Sequence, residues 1–331
     1  MVLSKGTIQV QQLVKQFAGG VQAIRGVSFE VANGEFFAFL GPNGAGKSTT
    51  IQVLTTLLRP TSGEARISGF DVEREPERIR KEIGVALQET GIDPALTGKE
   101  LLVLQARLFG FSSADAKQRA KELLELINLV DDADRKVGKY SGGMRRRLDL
   151  ALSLVHRPNI LFLDEPTTGL DPYNRIAIWE EIRKLNREFG TTIFLTTQYL
   201  EEADQLADRI CIINKGEIVA SGSAVELKKN IGMDVIDLVF ADEAAAMQAN
   251  TALESMVKTG VVSRNQLTLY VENGAHALAD VVRVLDRHAL PPVSLNLAPP
   301  TLDDVFLRVT GEHLDASTPA AAGVQEGGDA S

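Results

Sequence analysis

The chain has a single cysteine, Cys211, among its 331 residues. One thiol excludes an internal disulfide framework and a thiolate metal cluster. It lies in Arg209-Ile210-Cys211-Ile212-Ile213, an apolar run that reads as a buried strand, so the thiol is expected to be a small core side chain. Histidine is scarce too. His156, His276, His288 and His313 are the whole set, and none stands at metal-ligand spacing. Net positive charge is missing: the balance is −9 and the pI about 5.1, so no global field attracts DNA or RNA. No apolar run approaches the roughly 20 residues that span a bilayer. The opening Met1-Val2-Leu3-Ser4-Lys5-Gly6 has no long apolar signal core. The expectation is a cytoplasmic chain. Any membrane process it serves takes its membrane part from another subunit.

Against these absences stand three local patterns. Gly41-Pro42-Asn43-Gly44-Ala45-Gly46-Lys47-Ser48 follows an apolar run at 35–40 and opens a helical pattern with Ile51, Leu54 and Leu58 on one face. That is the strand–loop–helix context a phosphate loop needs. Glycines let successive N–H groups curl toward phosphates, and the helix N-terminus adds partial positive charge. In this pattern Lys47 reaches the β- and γ-phosphates, and the Ser48 hydroxyl holds Mg²⁺. Ile160-Leu161-Phe162-Leu163-Asp164-Glu165 then puts two acids at the end of a buried strand. Asp164 is suited to hold Mg²⁺ and Glu165 to act as general base on a water. The bland alternative is a strand ending at a solvated acidic turn. Tyr140-Ser141-Gly142-Gly143-Met144 stands shortly before. A serine hydroxyl and glycine N–H groups at a helix start make a second anion cradle.

Coarse organisation follows from periodicity. Strands are expected at 7–14, 27–31 and 35–40, with strand and turn at 61–70. Leu101, Leu104 and Leu108, then Ala120, Leu123, Leu124 and Ile127, recur at helical spacing, so 97–130 reads as a helical insert. Short apolar strands return at 160–163, 192–196 and 209–213, with helices between them, which points to a mainly parallel sheet. Beyond about Gly232 the pattern changes. Strands at 235–240, 266–271 and 294–297 alternate with helices at 243–257 and 275–288, a small α+β domain without a phosphate loop. From Asp315 the chain is rich in Ala, Gly, Ser and Pro, and is expected to stay disordered.

In this order the motifs resemble the ATP-binding subunits of ABC transporters, over about residues 5–230. The resemblance implies an α/β P-loop NTPase cassette: a mixed sheet core with a helical subdomain at about 90–155. It implies a cassette at 5–232, a small C-terminal α+β accessory or dimerisation domain at 233–312, and a tail at 313–331. It assigns ATP contacts to Gly41, Pro42, Asn43, Gly44, Ala45, Gly46, Lys47, Ser48 and Thr49. Phe17 stands where the family stacks an aromatic on adenine, although a core phenylalanine would look the same in sequence. Gln88, in Val85-Ala86-Leu87-Gln88-Glu89, matches the Q-loop glutamine and joins Ser48 and Asp164 as a Mg²⁺ contact. Leu170-Asp171 matches the D-loop. The catalytic set implied is Glu165, Gln198 and Gln88.

The resemblance also implies a head-to-tail dimer. Each ATP lies between one copy's phosphate loop and the other copy's Ser141, Gly142 and Gly143. Two membrane permease subunits complete the assembly, which sits on the cytoplasmic face of the membrane; no nucleic acid partner is implied. Gln198, in Thr196-Thr197-Gln198-Tyr199-Leu200, stands where most members carry a switch histidine. Glutamine still donates to a γ-phosphate but does not titrate. A surface loop glutamine is the alternative. Together with Ser141-Gly142-Gly143-Met144-Arg145-Arg146-Arg147 and the late segment Pro300-Thr301-Leu302-Asp303-Asp304-Val305-Phe306, it is similar to the daunorubicin-resistance branch of drug exporters. Lipid or glycolipid export, and a soluble non-transport ABC ATPase, are the competing readings. Arg145, Arg146 and Arg147 are expected on a solvated helix start, and 94–111 is expected to face a partner.

Overall fold

The computed structural model describes residues 6–88, 91–231, 234–254, 259–271 and 274–311. The chain begins with the hairpin of β1 (Ile8–Gln16) and β2 (Gln22–Val31). Their apolar residues fall on one face: Ile8, Val10, Leu13, Ile24, Val27 and Val31 are buried. Next come β3 (Phe36–Leu40) and α1 (Lys47–Leu54). β4 (Ser62–Ile67) and β5 (Phe70–Asp71) complete an antiparallel sheet in the order β2-β1-β4-β5. α2 (Pro76–Glu82) leads into β6 (Ile83–Ala86).

Three helices follow: α3 (Gly98–Leu108), α4 (Ser113–Leu126) and α5 (Gly142–Ser153). Thr97 and Glu100 form a reciprocal capping box that starts α3 where the periodicity begins. The chain then alternates through β7 (Ile160–Asp164), α6 (Pro172–Phe189), β8 (Thr192–Thr197), α7 (Leu200–Leu206) and β9 (Arg209–Asn214) to β10 (Glu217–Gly222). The resulting sheet runs β10-β9-β3-β8-β7-β6. Strands β9 to β6 are parallel and β10 is an antiparallel edge. Strands β3, β7 and β8 are buried at every position, the mark of a parallel sheet covered on both faces.

Period-two alternation in β3 explains how two layers share it. Phe37 and Phe39 point to the antiparallel sheet, where they and Phe194 of β8 pack on Phe29 of β2 at ring-centroid distances of 5.5–5.8 Å. Ala38 and Leu40 point the other way, into a cluster with Leu227, Val235, Tyr270, Leu302 and Phe306. Those partners come from α8 (Ala224–Ile231), β11 (Asp234–Val239) and the C-terminal elements. There α9 (Glu243–Leu253), β12 (Thr259–Ser263), β13 (Gln266–Val271), α10 (Gly274–Arg287), β14 (Ser294–Ala298) and α11 (Leu302–Thr310) follow. Their sheet is antiparallel, in the order β12-β13-β11-β14. The C-terminal unit therefore packs on the sheet that carries the phosphate loop.

One helical face differs from its expectation. On α3 the buried residues are Leu101, Leu102 and Ala106, whereas Leu104 and Leu108 are 48% and 75% exposed. The packing stripe is rotated because α4 and α5 both cover the Leu101–Leu102 side. The end expected for the 243–257 helix and the tail expected at 313–331 lie outside the described residues.

Candidate functional site

The loop after β3 curls around the start of α1. Gly46 has φ 106°, and a Cβ there would stand 2.4 Å from the Ala23 carbonyl. Only glycine fits that left-handed turn against a neighbouring backbone. Ala45, Gly46 and Lys47 are buried, while Asn43 and Gly44 stay exposed at the loop's tip. Ser48 and Thr49 are half-buried in the first turn of α1. Lys47 is 4% exposed, and Nζ donates to Gly41 O at 2.8 Å and Pro42 O at 3.0 Å. It also forms an ion pair with Glu165 Oε1 at 3.1 Å.

The two acids divide their contacts. Asp164 ends β7, and its Oδ1 accepts from Ser48 Oγ at 3.1 Å and Thr196 Oγ1 at 2.5 Å. Glu165 is 6% exposed, with φ 48°. That conformation costs a non-glycine residue about 1–3 kcal/mol and persists only where the surroundings hold it. They do so here. Glu165 N donates to Thr196 O at 3.1 Å, and Thr168 Oγ1 donates to Glu165 Oε2 at 3.2 Å.

The helix start at α5 is built differently. Ser141 is its exposed N-cap, and its hydroxyl accepts from Met144 N at 3.2 Å. Gly142 is exposed and Gly143 is buried against Asn174, whose Oδ1 would lie 2.8 Å from a Cβ. Asn174 is held by Asp171, the N-cap of α6, through its N–H at 3.0 Å and its Nδ2 at 2.6 Å. Gln88, Gly142, Arg145, Glu165, Thr168 and Leu170 line one cleft of about 410 Å³. The fold thus brings Gln88, Glu165 and the α5 start together. Gln198 lies at the end of β8, half-buried, just after the Thr196 that grips Asp164. Phe17 is 41% exposed at the hairpin tip, with Lys15 Nζ 5.4 Å from its ring centre. It is not a core residue, and its ring is open to a stacking partner.

Two family models match the chain: "ABC transporter" over residues 24–168 and "ATP-binding protein DrrA1-3-like, C-terminal domain" over residues 222–310. Daunorubicin resistance ATP-binding protein DrrA3 of Streptomyces coeruleorubidus is 46% identical, over 89% of this chain and 93% of that protein. Daunorubicin/doxorubicin resistance ATP-binding protein DrrA of Streptomyces peucetius is 43% identical, over 96% and 97%. A solved dimeric ATP-binding cassette in a post-hydrolysis state with ADP and Pi is 28% identical. It matches with a TM-score of 0.61 over 65% of this chain and 98% of that one.

This chain is an ABC transporter ATP-binding subunit of the DrrA type. As such it binds and hydrolyses ATP. Among the described residues no helix is long and apolar enough to cross a membrane. The donor set of this ABC subunit fits the ligand. Curled N–H groups and Lys47 suit phosphates, and the Ser48 hydroxyl with the Asp164 carboxylate offers the hard oxygens that Mg²⁺ prefers.

Arg146 corrects the expectation of a solvated arginine run. Arg145 is exposed, but Arg146 is 9% exposed. It donates to Leu87 O at 2.6 Å, Asp164 O at 3.0 Å and Pro166 O at 2.8 Å, and pairs with Asp149 at 3.3 Å. One guanidinium fork ties α5 to the strand end carrying Asp164 and to the carbonyl just before Gln88. Burial pulls its pKa down, and pushes that of Asp149 up to about 6 against the pull of Arg146. A signal was available in helical phase, since Gly143, Arg146 and Leu150 share the buried stripe of α5. Sequence reasoning also missed Thr196, Thr168 and Asn174. Thr196 and Asn174 act on neighbours from distant segments, Thr168 acts on Glu165 three residues before it, and none carries a recognisable motif.

Proposed function

We propose that this chain powers efflux of drugs or other hydrophobic compounds through a separate membrane subunit. The carrying observation is likeness along both domains to proteins named for daunorubicin resistance, with 46% identity over 89% of the chain. The cassette is taken as 5–232, and the 233–312 unit as an accessory or dimerisation domain. Two copies close head to tail, each ATP held by one copy's phosphate loop and by Ser141, Gly142 and Gly143 of the other. Two permease subunits hold the pair at the cytoplasmic face.

Within each site Gly41, Pro42, Asn43, Gly44, Ala45, Gly46 and Thr49 shape the loop around the phosphates, and Phe17 stacks on adenine. Ser48, Asp164 and Gln88 would hold Mg²⁺, which would neutralise phosphate charge. A γ-phosphate competes with Glu165 for Lys47 Nζ, now 3.1 Å from the carboxylate. Released from that pair, Glu165 accepts a proton from the attacking water as the bond from the γ-phosphorus to ADP breaks. Gln198 donates to the γ-phosphate and reports its loss.

The test uses inverted membrane vesicles holding the full chain and its membrane partner, with daunorubicin as cargo. Wild type should concentrate the drug on ATP addition. Glu165→Gln should retain ATP but lose turnover by about 100-fold or more, and transport with it. Equal ATP-driven daunorubicin uptake by the two would overturn the proposal, as would uptake of a labelled lipid in its place.

A further inference from the structure

Glu202 is the most deeply buried acid in the structure, with no exposed surface. It lies in the first turn of α7, the helix that follows Gln198. Its Oε1 accepts two hydrogen bonds of 2.8 Å, from Thr167 Oγ1 and from Trp179 Nε1. Its Oε2 has no hydrogen-bond partner among the described residues. A buried carboxyl held this way is costly as a mere filler, because an apolar side chain of similar size would avoid the desolvation.

The three groups joined at Glu202 belong to three separate segments. Thr167 follows directly on Glu165-Pro166, Trp179 belongs to the helix capped by Asp171, and Glu202 itself belongs to the helix behind Gln198. The Thr167–Thr168 turn places Thr168 Oγ1 on Glu165 Oε2 at 3.2 Å. That bond is one of the contacts that hold Glu165 at a φ of 48°, beside its N–H bond to Thr196 O. We propose that Glu202 is a positioning residue for hydrolysis, its buried carboxyl locking the Glu165 turn to α6 and α7 so that Glu165 and Gln198 move as one unit. This rests on reading Glu165 and Gln198 as the hydrolytic pair.

What the lock requires is an acceptor at Oε1. Burial raises the Glu202 pKa, opposed by the hydroxyls of Thr197 and Thr167, by the Trp179 N–H and by Arg175 of α6; Arg146 of α5 is a further cation in its field. A glutamine keeps the acceptor and places an amide where Oε2 stands. An alanine leaves Thr167 and Trp179 without their acceptor.

The test measures ATP turnover of the full chain against ATP concentration. Glu202→Gln should turn over within about twofold of wild type. Glu202→Ala should lose about tenfold or more in kcat while the ATP KM moves less than about threefold. Wild-type kcat in Glu202→Ala overturns the lock. So does a Glu202→Gln variant as slow as Glu202→Ala, or a loss seen only as raised KM with a lowered melting temperature. Glu165→Gln and Gln198→Ala, assayed beside them, judge the underlying reading. Full turnover in those two sinks the hydrolytic pair, whereas their failure beside an active Glu202→Ala sinks only the lock.

Discussion

Glu181 on α6 shows how a single acid sets a pH window. Its carboxyl is pushed up to about 7, chiefly by burial, with Arg147 opposing and Glu180 adding to the rise. One of its oxygens is buried with no hydrogen-bond partner among the described residues. Near pH 4 both folded and unfolded chains hold this proton. Between the ordinary glutamate value and about 7, the unfolded chain releases it and the folded chain keeps it. Stability therefore falls as pH rises through that window, by an amount on the order of 3 kcal/mol once the group is ionised. Glu181→Gln should be more stable than wild type at about pH 8, with the gap closing toward about pH 5. Melting curves at the two values check this, and a gap independent of pH would assign the effect to packing. At this scale legibility depends on whether a role is local. Lys47, Ser48, Asp164 and Glu165 sit in short patterns whose chemistry can be read directly. Glu202 could not be told from Glu201 beside it, although one is fully buried and the other exposed. The same holds for Arg146 between two arginines, where only helical phase separates the anchor from its neighbours.

Helix α5 links the Ser141–Gly142 helix start to the strand end carrying Asp164. Its N-terminus presents Ser141 and Gly142, its buried side presents Arg146, and its first turn abuts Asn174 of α6. The three carbonyls that Arg146 satisfies come from the strand ends at Leu87, Asp164 and Pro166. Removing the guanidinium strands them, and leaves Asp149 buried without its cation. Arg146→Met should therefore cost about 3–5 kcal/mol, the range for breaking a buried charge pair. Arg146→Lys should recover part of this, since one ammonium cannot span three acceptors. Denaturant midpoints with unchanged slopes would measure it, and a loss below about 1 kcal/mol would place Arg146 among ordinary surface residues. The strands of the core were legible as elements because fully buried parallel strands carry short apolar runs, as at 160–163 and 193–195. The rotated face of α3 was not. Leu104 and Leu108 keep helical spacing, but which stripe is covered depends on where α4 and α5 dock. Their exposure, with that of Phe109, leaves apolar side chains open in the segment expected to meet a partner.

At the scale of the whole molecule, the proposed head-to-tail pairing gives one chain two halves of different sites. The phosphate loop, Asp164 and Glu165 form one half at the C-terminal ends of β3 and β7, where ligands bind in open α/β sheets. The exposed Ser141–Gly142 helix start forms the other. Nothing in the sequence order reveals that these halves serve different nucleotides; that follows from a head-to-tail pairing. The pairing has a consequence that defects in one chain cannot mimic. A copy carrying Lys47→Ala lacks the phosphate-binding half, and a copy carrying Gly143→Asp lacks the cradle, because its carboxylate meets Asn174 and faces the phosphates. Homodimers of either variant have two broken sites. In a mixed dimer both defects fall on the same site, and the second site combines an intact phosphate loop with an intact cradle. Random pairing of equal amounts makes about half of the dimers mixed, each with one whole site, so about a quarter of the wild-type sites return. ATP retention should be scored in a Glu165→Gln background, which holds bound nucleotide without turning it over. Each variant alone should retain almost none, and the mixture about a quarter of the parent's amount. A mixture no better than its components would mean that each chain completes its own site.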